Sequence, residues 1–378
     1  MHIVYLTHEY PKKNMNGGGI GSFVQFLGRQ LTSKGISVSV VGMNNISKDE
    51  NETDNGVKVY RLAKSSWKFA KFHDNFKRIL KKINELNSQE KVDIVEGSEL
   101  NFAFFPKRTN YKKVIRLHGG HHFFALELNK KPAVWRGFQE KRSFKKADQF
   151  IAVSNYVGTQ TQKYLQYNFK FTTIYNSVDT EKFHPTDAEK IKKNSLLFVG
   201  TVCEKKGVRQ LVQAIPIIKK TINDISLKIV GRDWKLPDGS SYINYLKTFI
   251  SNDVIDNIEI VGPVPHGQIS TYIEKTEICV YPSHMEAMPI AWLEGLSMGK
   301  KVVASDIGPG REAIKDYETG ILIDPYSPED IADKIVKMLE SNEYDEIGKA
   351  ARKDILNRFN VDRIVSENIS FYHKTITN

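Results

Sequence analysis

Glu286 and Glu294 stand eight positions apart in the stretch CVYPSHMEAMPIAWLEGL, residues 279–296. The apolar run 278–281 reads as a buried strand. Pro289 suits the first position of a helix, where a missing N–H is no loss, and Gly299 suits the position past its end. Glu286 then lies in the loop facing the helix N-terminus. Glu294 falls five residues into the helix, roughly 7 Å along its axis. It is the only charge between Ala287 and Gly299. A carboxylate in apolar company must be solvated or accept hydrogen bonds, and sugar and ribose hydroxyls can donate them. The unpaired N–H groups at the start of the helix favour a phosphate. One turn can therefore hold a sugar, a diphosphate and a ribose. Two glutamates at this spacing fit an exposed helical surface equally well, so the elements around them must decide.

Those elements alternate. Strand patterns at 3–6, 38–42, 57–61, 93–95, 113–117, 150–153 and 172–174 are interleaved with helices such as 20–33, whose Ile20, Phe23, Val24, Leu27 and Leu31 share one face before Gly35. After Asn176 and a polar, Lys-rich stretch to Asn194 the rhythm restarts. Strands are predicted at 196–199, 227–230, 258–261, 278–281, 301–304 and 320–323. Helices are predicted at 208–219, 242–251, 269–274, 289–298, 311–315 and 328–340. Each half has the pattern of a doubly wound α/β domain. At 378 residues, two domains are expected.

Three further loops carry chemistry. Gly17, Gly18 and Gly19 open the first helix and let backbone N–H groups approach an anion. A dinucleotide fingerprint fits poorly, because Val24 replaces the third glycine and Met43, Asn44 and Asn45 follow the second strand where a ribose-binding acid is needed. His118 ends the strand 113–117 before Gly119 and Gly120, at the sheet edge where open α/β sheets bind ligands. The adjoining His121 and His122 have no metal-site spacing, and no acidic or cysteine partner is evident in the sequence. The loop Gly200–Gly207 carries Lys205 and Lys206. Arg232 ends another strand and is a further candidate ligand-binding cation.

Composition is that of a globular protein, 40% hydrophobic and 26% charged. No apolar run approaches the length needed to span a bilayer. The start reads as a first strand and not a signal peptide. Cys203 and Cys279 read as buried thiols in a reducing compartment, which makes the cytoplasm the expected location. The net charge of +11 is concentrated early: residues 61–91 hold nine Lys/Arg against three Asp/Glu, and 107–146 twelve against two. Trp67, Phe69, Phe72 and Phe76 accompany the first cluster, beside Lys68, Lys71, Lys77, Arg78, Lys81 and Lys82. That mixture fits a helix on an anionic membrane and equally a surface helix with an aromatic core face. No nucleic-acid module accompanies the charge.

Taken together, the paired glutamates, the Pro282-Ser283 before them and the strand 301–305 after them resemble glycosyltransferase family four, most strongly over 176–324. The resemblance implies an α/β GT-B fold, two Rossmann-like doubly wound domains facing each other across a cleft. Residues 1–180 would form an acceptor-binding domain and 181–345 a nucleotide-sugar-binding domain, with 346–378 packing back on the first. It implies a retaining hexosyl- or related transferase that needs no metal or other cofactor. Its donor is a nucleotide diphosphate sugar, with uridine favoured by frequency in the family. The acceptor is a saccharide or lipid-linked hydroxyl in bacterial envelope polysaccharide or glycolipid synthesis, at the inner face of a membrane. By the same resemblance Glu286 and His118 meet the sugar. Gly18, Gly19, Lys206, Ala287, Met288 and Pro289 lie at the donor, Glu294 binds ribose, and the loop 261–265 with Val264 contacts the base. The chain departs from the family at Thr201, where many members carry arginine; Lys205 and Arg209 are candidate substitutes. Rival readings are transfer to a small soluble acceptor, a nucleotide-sugar epimerase, which would convert donor without acceptor, and a non-catalytic sugar-nucleotide binding protein.

Overall fold

The computed structural model describes residues 1–12, 19–65 and 71–377. The chain divides into two units, Met1–Tyr175 with Ile364–Asn378, and Asn176–Arg363.

The first unit is built from β1 (His2–Leu6), α1 (Gly19–Ser33), β2 (Ser37–Asn44), β3 (Glu50–Asp54), β4 (Val57–Ala63), α2 (Lys71–Gln89), β5 (Ile94–Gly97), β6 (Lys112–Leu117), α3 (His121–Glu127), α4 (Val134–Phe144), β7 (Gln149–Ala152), α5 (Asn155–Leu165) and β8 (Thr172–Thr173). Its sheet runs β3-β4-β2-β1-β5-β6-β7-β8 and is parallel apart from the β3–β4 pair. The chain winds away from β1 in both directions, so the strand order reverses beside β1 and β5. The apolar residues of β1 are buried from both faces, which explains why it reads as a continuous hydrophobic run. β3 was not expected from the sequence. Its residues, ENETD, are polar and largely exposed on an edge, and they carry no apolar alternation to read.

The second unit contains β9 (Ser195–Val199), α6 (Val208–Lys219), β10 (Ser226–Val230), α7 (Tyr242–Lys247), β11 (Ile258–Gly262), α8 (Ile269–Glu274), β12 (Ile278–Tyr281), α9 (Ile290–Ser297), β13 (Lys301–Ser305), α10 (Gly310–Ala313), β14 (Ile321–Ile323), α11 (Pro328–Glu340) and α12 (Ile347–Arg358). Its parallel sheet runs β11-β10-β9-β12-β13-β14, the nucleotide-binding strand order with a reversal between β9 and β12. Val208, Leu211, Val212, Ile215 and Ile218 of α6 lie one helical turn apart and are buried against Phe198, Ile229 and Val280. α7 stops at Lys247, four residues short of the predicted end, because Thr248 turns its hydroxyl back onto the Tyr245 carbonyl at 2.7 Å.

The last helix, α13 (Val361–Thr377), returns the chain to the first unit. The return comes at Ile364, later than the sequence boundary of 346, because α12 is tied to the second unit. There Arg352 donates to the carbonyls of Thr180, Phe183 and Ser297 at 3.0–3.1 Å. α13 is held by a buried polar network. Arg116 of β6 donates from Nε to Glu96 Oε1 at 2.7 Å and from a terminal nitrogen to Asn368 Oδ1 at 2.5 Å. Tyr372 donates to Glu96 Oε2 at 2.8 Å and shares a hydrogen bond with Tyr5 at 2.9 Å. Burial works against the charge on Arg116, but Glu96 outweighs it and raises the pKa, so the guanidinium stays charged although fully buried. Among the described residues no helix is long and apolar enough to cross a membrane.

Candidate active site

The carboxyl ends of β11, β10, β9 and β12 lie side by side in the second unit, and the loops that follow them carry the predicted residues. Two of these loops, after β9 and β12, flank the strand-order reversal, where open sheets bind ligands. Their close approach depends on Gly207. It has φ of +66°, and a Cβ there would sit 1.7 Å from the Pro282 carbonyl oxygen. The backbone N–H of His284 also donates to the Lys205 carbonyl at 2.9 Å. With the loops joined in this way, Lys206 and Glu286 form a direct ion pair; both side chains are mostly covered, at 21% and 11% exposure.

Pro289 corrects the reading of the following helix. It is extended, with φ −80° and ψ 120°, so it precedes α9, which begins at Ile290. Gly299 has the expected left-handed backbone just beyond the helix, φ +66°. Met288 is buried, and its carbonyl accepts from Asn176 Nδ2 at 2.8 Å, which fixes the turn; Ala287 lies half-buried in the same turn. Glu294 is the fifth residue of α9 and is 3% exposed, so the exposed-surface alternative does not hold.

Glu294 has a partner that the sequence did not reveal. His266 follows the loop 261–265 by one residue, and its Nε2 lies 2.7 Å from Glu294 Oε1. Lys182 Nζ is 3.2 Å from His266 Nδ1. A lysine ammonium can only donate, so Nδ1 accepts and Nε2–H donates to the carboxylate. Glu294 Oε2 has no hydrogen bond among the described residues. The available signal was the position of His266, just beyond the predicted base-contacting loop, where Val264 is half-buried.

Of Lys205 and Arg209, the two candidate substitutes for an arginine at Thr201, Arg209 is committed elsewhere. Arg209 grips Glu204 with contacts of 2.7–3.1 Å and lies over the Phe249 ring, while Tyr242 donates to the same carboxylate. That pairing holds Arg209 within its own helix start. Arg232, at the end of β10, is exposed and places Nε 3.4 Å from Thr201 Oγ1. The guanidinium therefore stands at the very position the sequence showed to lack a cation. Cys203 and Cys279 are both buried thiols, and burial pushes Cys279 up to about 12.

In the first unit Gly18 lies outside the described residues. Gly19 begins α1 in open space, whereas Gly21 is the glycine that close packing requires: a Cβ there would be 1.8 Å from the Glu9 carbonyl oxygen. His118 packs its ring edge-on against Phe23, centroids 5.1 Å apart. Burial, then the Arg116 cation, push its pKa down to about 3, so the imidazole is neutral across the physiological range. Its backbone N–H donates to Glu99 Oε1 at 2.8 Å. Glu99 is buried, and burial followed by the nearby Glu140 carboxylate raise its pKa to about 8 against the pull of backbone N–H donors. His122 does have an acidic partner: Glu140 Oε2 lies 2.5 Å from its Nδ1 and accepts from its backbone N–H at 2.8 Å. The sequence hid it because Glu140 comes from α4, eighteen residues on. His121 serves a loop, accepting from the Ala133 N–H at 2.8 Å. Among the described residues no group of three His, Cys, Asp or Glu side chains could hold a metal ion. A cavity of about 310 Å³ opens at the carboxyl edge of this sheet, lined by Thr7, His8, Glu9, Met43, Ser98 and Asn101 among others.

Comparisons with known proteins bear on the family and the fold. The family model "Glycosyltransferase Family 4" matches residues 17–182, and "Glycosyl transferases group 1" matches residues 179–354. An uncharacterized glycosyltransferase of Methanocaldococcus jannaschii is 26% identical over 70% of this chain and 68% of its own length. Sucrose-phosphate synthase from Thermosynechococcus elongatus superposes with a TM-score of 0.84 at 18% identity, covering 100% of this chain and 99% of that one. Anabaena HepE in complex with UDP-glucose gives 0.75 at 15% identity, with 98% and 99% covered. With two doubly wound units matched almost end to end, the chain belongs to the group 1 glycosyltransferases of family four, transferases of the GT-B fold.

Proposed function

We propose that this glycosyltransferase takes a hexosyl or related sugar from a UDP-sugar and moves it, with retention, to a hydroxyl of a saccharide or lipid-linked acceptor in bacterial envelope polysaccharide or glycolipid synthesis. The reaction would take place on the cytoplasmic side, at the inner face of the membrane. The observation that carries the reading is the Lys206–Glu286 pair at the strand-order reversal, with Glu294 one helical stretch away. In this reading Glu286 accepts from sugar hydroxyls, and Lys206 meets the diphosphate beside the first turn of α9. Glu294 offers Oε2 to the ribose, while His266 holds Oε1 in place. Departure of the diphosphate concentrates negative charge where Lys206 and Arg232 stand. Fixed cations there lower the barrier without a metal ion. Sugar and leaving group held in one orientation supply most of the remaining acceleration. Uridine is favoured because a similar solved protein, HepE, is seen with UDP-glucose.

A panel of nucleotide sugars read by thermal shift tests this assignment, since a ligand that binds only the folded protein raises its melting temperature. A UDP-sugar should give the largest shift, and Glu294→Ala should abolish it. A larger shift with a guanosine or adenosine sugar would reject the base. Shifts that survive Glu294→Ala would reject the site.

A further inference from the structure

The first unit carries a surface that donor chemistry does not use. On α4, Val134 is 90% exposed, Trp135 56% and Phe138 50%. Val134 and Phe138 are one turn apart, and the Trp135 ring stacks on Phe138 with centroids 5.7 Å apart at 21°. The opposite, inward side of the same helix holds Gly137, Gln139, Glu140, Ser143 and Phe144, all buried. A helix that packs on a core ordinarily turns its apolar side inward; this one turns apolar side chains outward at its first turns. Lys141 and Lys145 continue the outward face at the spacing of successive turns, and Lys130, Lys131 and Arg136 surround its start, all exposed. None of these five cations makes an ion pair among the described residues. Between residues 128 and 147 the sole acid is Glu140, which is 0% exposed.

We propose that this face of α4 docks on an anionic lipid bilayer, with Val134, Trp135 and Phe138 entering the headgroup boundary and the surrounding lysines and Arg136 meeting lipid phosphates. Aromatic and aliphatic side chains inside a cationic rim are the composition of interfacial helices. The charge decides against a second copy of this chain, because a two-fold contact would place the same cations against one another. It also moves the surface away from the basic, aromatic segment that stood out in the sequence. In α2, Phe76 packs edge-on against Phe105 at 5.1 Å, Arg78 is paired with Asp49, and Lys82 is paired with Glu85. Trp67, Lys68 and Phe69 lie outside the described residues.

The test is flotation of the full chain with vesicles of phosphatidylcholine alone and of phosphatidylcholine with phosphatidylglycerol, at low and high salt. The chain should float with the anionic vesicles, not with the neutral ones, and salt should weaken the association. Trp135→Ser/Phe138→Ser and, separately, Lys141→Glu/Lys145→Glu should each lower the vesicle partition by about tenfold or more. Lys81→Glu on α2 should leave it unchanged. Melting temperature and UDP-sugar binding should be those of the parent chain in all variants, since these side chains are exposed and lie outside the donor residues. Failure of the donor assignment would therefore show in a different measurement. Absence of anionic-vesicle binding, equal binding by the α4 variants, or a concentration-dependent dimer that the Trp135→Ser/Phe138→Ser variant abolishes would each overturn the proposal.

Discussion

Removing Glu286 should make the protein bind nucleoside diphosphate more tightly while it stops turning over. The reason is the ion pair. Lys206 is committed to Glu286 in the structure, and a diphosphate must draw it away. The side chains are 21% and 11% exposed, between the surface and buried regimes. Discounted for that screening, the pair is worth about 1 kcal/mol, or roughly fivefold in affinity. Glu286→Ala should therefore lower the Kd for UDP by about fivefold in isothermal titration calorimetry at fixed ionic strength. Lys206→Ala removes a charge-assisted hydrogen bond of roughly 1.5–3 kcal/mol and should weaken UDP by tenfold or more. Turnover with the full donor should collapse in Glu286→Ala, because no carboxylate then orients the sugar. UDP binding that is unchanged or weaker in Glu286→Ala would show that the ion pair does not compete with the phosphate, and full turnover would show that Glu286 does not hold the sugar.

Three other outcomes follow from the packing. Arg116→Met leaves the buried Glu96 carboxyl, 2% exposed, without its cation, which should cost about 3–5 kcal/mol in urea unfolding; adding Glu96→Leu should recover most of it. Gly207→Ala forces a side chain into a φ of +66° and against the Pro282 carbonyl, so it should lose at least about 2 kcal/mol of stability and weaken UDP binding with it. Glu99 titrates near 8 in the folded chain against an ordinary 4.5, so the folded state holds the extra proton and its contribution to stability is lost as pH rises from 4.5 through 8. Glu99→Gln should flatten that slope in melting temperatures measured across the window, and an unchanged slope would place its origin elsewhere.

Much of this molecule was legible along the chain because its informative features are local. The parallel strands are buried on both faces and read as apolar runs, and the helices between them show a 3.6-residue period. Glu286, Lys206 and Glu294 stood out because strand-end loops and an isolated charge in an apolar helix are visible without coordinates. What stayed hidden depends on residues distant in sequence. His266 reaches Glu294 across 28 positions, Arg232 reaches Thr201 across 31, and Glu140 reaches His122 across 18. The edge strand β3 was invisible because polar residues on a sheet margin have no apolar alternation.

The sequence by itself determined the two doubly wound halves, the family and the loops that carry the chemistry, since hydrophobic period, glycine placement and isolated charges act over a few residues. Only the tertiary structure decided which charges meet. It paired Lys206 with Glu286, assigned Arg209 to Glu204 and Arg232 to Thr201, packed Phe76 of α2 against Phe105 and left Val134, Trp135 and Phe138 of α4 exposed. The physical reason is range: a side chain's partners are set by strands and helices brought together in space, and no local pattern records which distant residues will meet.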